Sequence, residues 1–404
     1  MTRPAGPRPP RADDPYGTGL IGSFAAPALA VVGLLIVSIM TLNLMNGELP
    51  FGIGGGPGGG NGGGDGPART PAPSNVVIHE EDVEFPGTFV YAKAGNIWIQ
   101  TQDGPRQLTS SGRDSMPSWS PDGQSIYYIE TEVKLGNWPV RGQSRNFDMH
   151  VPHLMRIAAD GSAAPEELID GEFTSGQYRW FWWMRQPVMA PNGTTIALTS
   201  DQPDPTERDV VLQLYNVETG KFSRPDVPVT SPLGHQDPAW RPDGRLLLFV
   251  RNGRDAGRGA PVIYRYDTRE GTSTPLTTAG YLEPAYSPDG QYVAATRTSA
   301  IGTDIVILHP SRGTELLRVT SDGRSWAPVW SPVGDAIAFL HLDGQSVDLH
   351  MVELAGRSGA WTVGQPIALT DVSGLDAASR PGWYVPPDEL PPAASATPAP
   401  SPSS

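Results

Sequence analysis

The 404-residue chain contains no cysteine. That excludes disulfides, thiolate metal sites and a lipid-modified cysteine anchor, and it fits either redox compartment. Lysine is scarce, with 3 residues against 26 arginines, and the formal net charge is −14. Such a chain repels phosphate backbones, so no nucleic-acid partner is expected. It has no G-x-S-x-G nucleophile elbow, which removes the α/β-hydrolase route to catalysis. Beyond residue 76 no stretch has a helical hydrophobic period, so strands are expected there.

Long apolar runs are absent with one exception. No charge falls between Asp14 and Glu48, and the run from Phe24 to Met45 is long enough to cross a bilayer as a helix. A secretory signal peptide is the competing reading, but it would have a shorter apolar region and a small-residue cleavage site. Residues 41–45, Thr-Leu-Asn-Leu-Met, offer none. The expected order is a cytoplasmic tail (1–22), a transmembrane helix (23–45), a Gly/Pro-rich linker (46–75), a folded region (76–386) and a disordered Pro/Ala/Ser-rich tail (387–404). Arg3, Arg8 and Arg11 precede the helix, whereas Arg69 is the only basic residue of the linker. This asymmetry places the N-terminus in the cytoplasm and the folded region outside the cell membrane, on a single-pass anchor. A flexible linker of this kind has a reach of roughly 25–30 Å.

What the sequence has in abundance is repetition. The segments P-S-W-S-P-D-G (117–123), P-V-M-A-P-N-G (187–193), P-A-W-R-P-D-G (238–244), P-A-Y-S-P-D-G (284–290) and P-V-W-S-P-V-G (328–334) share one pattern, and P-G-W-Y-V-P (381–386) is a degenerate sixth copy. Their leading prolines are 70, 51, 46, 44 and 53 residues apart. A period near four dozen residues means one supersecondary unit repeated. Each unit reads as a short strand, a Pro-Asp-Gly corner, a β-rich run, a third strand and a short outer strand that often ends in Leu-Thr or Val-Thr. Four strands per unit, radially repeated, is a β-propeller blade. The two ends complete one another. Residues 88–93, 96–101 and 106–109 supply three strands with no Pro-x-Trp strand before them, and residues 379–385 supply that strand with no blade after it. Pairing them closes a ring of six blades and leaves no open edge.

These corners resemble the TolB-like propeller repeat, a relative of the WD repeat whose signature is Trp-Ser-Pro-Asp-Gly, over about residues 88–386. The resemblance implies an all-β six-bladed propeller and says little about activity. The sequence departs from the pattern at Met189, Asn192 and Val333, and it offers no counterpart to the small α/β domain that precedes the propeller in TolB. Propeller-bearing serine peptidases are similar in their repeats but carry a hydrolase domain that this chain lacks. Sialidase-type Asp boxes are absent as well.

The repeated acids Asp122, Asp243 and Asp289 read as turn caps rather than as a catalytic ring, since Val333 stands in the same slot. His150 and His153 form an H-x-x-H pair whose spacing puts them on opposite faces of a strand, so no metal is expected there. No cofactor is expected. His235, His309 and His341 have no evident partners in the sequence, and any ligands for a channel cation cannot be located.

Loop length carries more information. The segments between second and third strands are expected to be long in blades two (131–152), three (201–209) and four (252–261), as is the connection 170–186. All would emerge on one face of the disk. They hold Trp138, Arg141, Arg145, Phe147, Tyr178, Trp180, Trp182 and Arg185, residue types that recur in binding hot spots. This group is the candidate partner-binding surface. Its alternative role is cover for the blade-two and blade-three core, with about half of the rings in 180–183 buried. The expected function is a non-enzymatic, membrane-anchored extracytoplasmic scaffold that binds a protein partner in a bacterial cell envelope. The alternatives are a small-ligand or carbohydrate sensor, and a hydrolase or lyase with a site in the channel.

Overall fold

The computed structural model describes residues 84–202, 210–229, 234–252, 261–357 and 360–390. The expected tail, transmembrane helix and linker (1–75) lie outside them, as do most of the long segments of blades three and four. No helix among the described residues is long and apolar enough to cross a membrane.

Six antiparallel sheets form the ring, each with its first strand innermost. Blade one is built from both ends of the chain: Gly382–Tyr384 pairs with Thr88–Lys93, followed outward by Asn96–Thr101 and Gly104–Gln107. The closing register is Thr88 opposite Tyr384 and Phe89 opposite Trp383, which is the pairing that the incomplete first and last repeats require. Trp383 packs tilted against Phe89 with ring centroids 4.3 Å apart, and its indole N–H donates to the Pro86 carbonyl at 2.8 Å. The Tyr384 hydroxyl donates to the Asp122 carbonyl at 2.9 Å, so the last strand also grips the corner of blade two. Gly123 is obligatory there: its φ is +68°, and a Cβ would sit 2.1 Å from the Tyr384 ring. The described chain continues past 386, and Leu390 packs against the core between blades six and one.

Blade three runs Met184–Met189, Thr195–Ser200, Val211–Asn216, Lys221–Ser223. Blade four runs His235–Trp240, Leu246–Arg251, Val262–Asp267, Thr272–Pro275. Blade five runs Tyr281–Tyr286, Val293–Ser299, Gly302–Leu308, Glu315–Arg318. Blade six has Ser325–Trp330, Ala336–Asp343 and a long third strand, Ser346–Arg357, whose two halves pair with Ile367–Ala368 and with Ala360–Val363. The hydrophobic core lies between the blades, with one buried cluster at each of the six junctions among the described residues. The motif tryptophans reach across those junctions. Trp240 donates to Val188 O and Trp330 to Ala285 O, both on the first strand of the preceding blade.

The corner acids cap their own turns. Asp122 accepts from Ser120 Oγ and Gln124 N, Asp289 from Ser287 Oγ and Gln291 N, and Asn192 from the backbone of Thr194 and Thr195. In blade six Ser331 Oγ donates instead to Asp335, two residues beyond Val333.

Because closure rests on one three-residue strand, Trp383→Ala is expected to lower unfolding free energy by about 3–5 kcal/mol, the usual loss for a large aromatic in a core. Chemical denaturation monitored by circular dichroism measures this. A loss below about 1 kcal/mol would mean that the ring holds without its closing strand.

Candidate functional site

Two places in the ring carry more polar or aromatic chemistry than packing requires. The first is the central channel. In blades two to six the residue before the leading proline adopts φ between +50° and +55°: Met116, Gln186, Asp237, Glu283 and Ala327. At each of these positions the pairing of first and second strands slips by one residue, a β-bulge. Proline has no N–H to give the ladder, so a bulge is where a strand tolerates it. The left-handed turn re-aims the preceding residue's N–H and side chain.

The consequence is a head-to-tail relay between blades. Met116 N donates to Ser379 Oγ at 2.8 Å, and Gln186 N to the Met116 sulfur at 3.3 Å. Asp237 N donates to Gln186 Oε1 at 2.9 Å, Glu283 N to Asp237 Oδ2 at 3.2 Å, and Ala327 N to Glu283 Oε2 at 2.8 Å. Ala327 has no polar side chain to continue the relay, and Arg380 spans that part of the ring by donating to Pro284 O at 2.9 Å. Burial and then the neighbouring Asp237 charge push the Glu283 carboxyl up to about 7. Burial raises Asp237 as well, although Arg380 and Arg185 oppose the shift. Arg185 Nε and Arg380 Nη2 are buried without a hydrogen-bond partner. Each of these groups except Arg185 and Ser379 could have been found in the sequence as the residue preceding a motif proline.

The second place is blade two. The segment 131–152, expected as a loop, is a continuous β-hairpin. Ser125–Val140 and Gln143–Ala158 pair through sixteen consecutive positions around the turn at Arg141-Gly142. The connection 170–186 is likewise not a loop. It forms a second hairpin, Glu172–Ser175 with Tyr178–Phe181, that joins the same sheet through Asn137 and Arg179, and its last residues already belong to blade three. The residues expected as a surface separate accordingly. Trp138 is only 8% exposed, enclosed by Phe173, Tyr178 and Trp180, and Phe147 packs edge-on against Trp180. Trp182 stacks on Phe173 at 4.4 Å. Phe181 is buried with Met149 and Val151, while Trp180, Trp182 and Trp183 are half-buried. Gly136 makes the packing possible, since a Cβ there would lie 2.0 Å from the Met149 sulfur. Arg185 is not on this surface at all: it belongs to the first strand of blade three, under the field of Asp237 and Asp201. Arg141, at the turn, and Arg145 are both exposed. The signal that a run of sixteen residues continues as strand was weak because Gly136, Asn137 and Pro139 are poor strand formers.

His153 is buried between acids, with Nδ1 2.9 Å from Glu167, while His150 is exposed. Among the described residues no group of three His, Asp or Glu side chains is arranged to hold a metal. The other histidines singled out in the sequence, His235, His309 and His341, do have partners. His235 accepts from Leu212 N through Nδ1 and pairs through Nε2 with Pro228 O, and burial pushes it down to about 4. His309 caps the Ser311 turn, and His341 faces Ser325 and Asp322.

No family model matches the chain. An uncharacterized peptidase of Bacillus subtilis is 32% identical over 125 residues, which is 30% of this chain and 18% of that protein. An uncharacterized protein of Agrobacterium fabrum is 24% identical over 148 residues, 35% of this chain and 47% of the other. The match thus spans less than half the length of either curated relative. Among solved structures, TolB from Acinetobacter baumannii gives a TM-score of 0.51 at 20% identity, covering 74% of this chain and 66% of that one. A TolB candidate from Agrobacterium tumefaciens gives 0.51 at 18% identity, covering 75% and 94%. At these identities the likeness is one of fold, a TolB-like six-bladed propeller.

A carboxyl whose folded pKa is raised favours the folded state most when protonated. The Glu283 contribution is therefore complete below its unfolded value near 4.5 and lost as pH rises through about 7. His235 and His350, both pushed down to about 4, act in the opposite sense, so the test is a difference. Glu283→Gln keeps an acceptor for Ala327 N. It is expected to melt several degrees above the wild type at pH 8 and level with it at pH 4.5, as read by scanning calorimetry. A gap that does not change with pH would refute the assignment.

Proposed function

We propose that this protein is a non-enzymatic propeller that presents its blade-two hairpin to a protein partner, tethered outside a bacterial cell membrane by the apolar segment 23–45. The observation that carries this reading is the hairpin itself. Its strands are 16 residues long against 6 in the second strand of blade three, which at about 3.3 Å per residue projects it roughly 30 Å past its neighbours. A projecting hairpin would be floppy alone. Here the aromatic cluster of Trp138, Phe147, Phe173, Tyr178 and Trp180 packs one face against the second hairpin. The other face leaves Val133 57% and Leu135 64% exposed, at a cost in stability that binding would recover.

Chain direction supports the same reading. Thr88 and Tyr384, where the chain enters and leaves the ring, sit beside the Asp122 corner. That corner is at the opposite end of the Ser125–Val140 strand from the Arg141 turn. A tether at the N-terminal side would therefore leave the hairpin facing away from the membrane. The tryptophans are engaged with each other, which favours a protein surface over stacking platforms for a sugar.

Two experiments test this. A photo-crosslinking residue at Leu135 in the full-length protein, in native membranes, is expected to capture one discrete partner, and the same residue at Leu316 on blade five is not. Equal capture at both positions would count against a dedicated face. Protease added to intact cells is expected to degrade the propeller while sparing a tag placed before Arg3; protection of the propeller would invert the orientation. Trp138 is unsuitable for such a test, because truncating it removes packing as well as surface.

A further inference from the structure

The blade-two hairpin has one strand edge without a neighbour. On the third strand, the outer strand Glu166–Asp170 reaches only His153–Arg156, and among the described residues nothing pairs with residues 143–151 on that side. The register identifies which backbone groups are left over. Arg141 and Gly142 have φ of +51° and +76°, the two-residue turn in which the flanking pair, Val140 and Gln143, exchanges both hydrogen bonds. Bonded and non-bonded pairs then alternate along the ladder. Trp138–Arg145 and Gly136–Phe147 are bonded pairs, so the N–H and C=O groups of Ser144, Asn146, Asp148 and His150 point away from the hairpin. All four residues are exposed.

Edges of this length are normally blunted by lysine, proline or a bulge. Here the ladder runs through sixteen positions without a bulge, and proline occurs on this strand only at Pro152, at the base. The charge is distinctive as well. Between Val133 and His150 the chain has Lys134, Arg141 and Arg145 against a single acid, Asp148, on a protein of net charge −14. Lys134 is engaged by Glu132 and Glu172. Arg141 and Arg145 pair with no carboxylate among the described residues.

We infer that the free edge of residues 144–150 receives an extended acidic segment of the partner protein as an added antiparallel or parallel strand, with main-chain hydrogen bonds supplying the docking and Arg141 and Arg145 the charge selection. This rests on the reading of the hairpin as the partner-binding element and names the kind of segment it takes. Strand addition of this type reads backbone first and alternate side chains second. Its acidic preference follows from complementarity to the two unpaired guanidiniums.

A phage-displayed library of linear twelve-residue peptides, panned on the full-length protein, tests it without knowledge of the partner. The expected result is enrichment of sequences that alternate Asp or Glu with β-branched or aromatic residues. Affinities are then measured by fluorescence anisotropy of the enriched peptides. Asn146→Pro removes one outward N–H and leaves the bonds to the second strand intact, so it is expected to weaken binding at least tenfold with an unchanged melting temperature. The double variant Arg141→Glu/Arg145→Glu is expected to lose at least tenfold at low salt, with a smaller difference at high salt. If Asn146→Pro disturbs the fold, enriched peptides N-methylated at alternate residues provide the same readout on wild-type protein. Methylation in one of the two registers should abolish binding, and methylation in the other should be tolerated.

Binding that survives both N-methylation registers but is lost in the charge variant overturns strand addition and leaves the hairpin as a partner site. Binding that persists after residues 132–151 are replaced by a short turn overturns the inference and the reading beneath it together. Enrichment of basic sequences, or of none, overturns the acidic occupant. A concentration-dependent dimer in sedimentation velocity that Asn146→Pro abolishes would make a second copy of this chain the occupant instead, which also overturns it.

Discussion

Everything in this molecule depends on a three-residue strand returning from the end of the chain to the beginning. A ring of twisted sheets exposes no free inner edge only when its first and last strands meet. Here Gly382–Tyr384 meets Thr88–Lys93, and Trp383 is locked between Phe89 and the Pro86 carbonyl. Tyr384 reaches on to the Asp122 corner, so the same three residues hold blade one together and fasten it to blade two. Gly382 is part of the design: a Cβ there would approach Val90 and Trp119 to 2.9 Å.

Inside that ring, the bulge before each motif proline converts a defect in pairing into a link between blades. Proline cannot contribute to the ladder. The residue before it turns left-handed in blades two to six, and in blades three to six its N–H finds the side chain of the previous blade's equivalent residue. A chain of such bonds couples neighbours that otherwise share side-chain packing and the motif-tryptophan hydrogen bonds. The identity of the pre-proline residue then sets the chemistry of the channel. Sulfur, amide and two carboxyls follow one another through Met116, Gln186, Asp237 and Glu283; burial raises the proton affinity of both acids, and the Asp237 charge raises that of Glu283 further. The corner acids, by contrast, are spent on local turns, and blade six replaces its missing one with Asp335.

Periodicity made the ring legible in advance: the number of blades, the order of strands and the partner of the closing strand all follow from repeated corners and two incomplete ends. The proposed binding face was legible only in outline. Residues 131–152 read as loop because glycine, asparagine and proline interrupt the alternation, yet Gly136 is there so that Met149 can lie across it. Trp138 and Trp180 were recognisable as unusual but not as partners of each other, since they lie 42 positions apart and only the second hairpin brings them together. Arg185 groups with them only by proximity in sequence. One β-strand start, at Met184, places it instead in the channel wall.

The chain by itself determined the repeat and hence the propeller, because corner turns and strand periods are local properties encoded within a few residues. It also determined the basic, acid-free character of the stretch from Val133 to Phe147, because composition needs no fold. The tertiary structure alone decided which pre-proline residues meet across the channel and which tryptophans are core rather than surface. It alone decided which four residues of the third strand of blade two face outward with their backbone unpaired. Those outcomes are set by contacts between segments distant along the chain, by the register of one strand on another and by the parity of a two-residue turn, and none of these has a signature that can be read residue by residue.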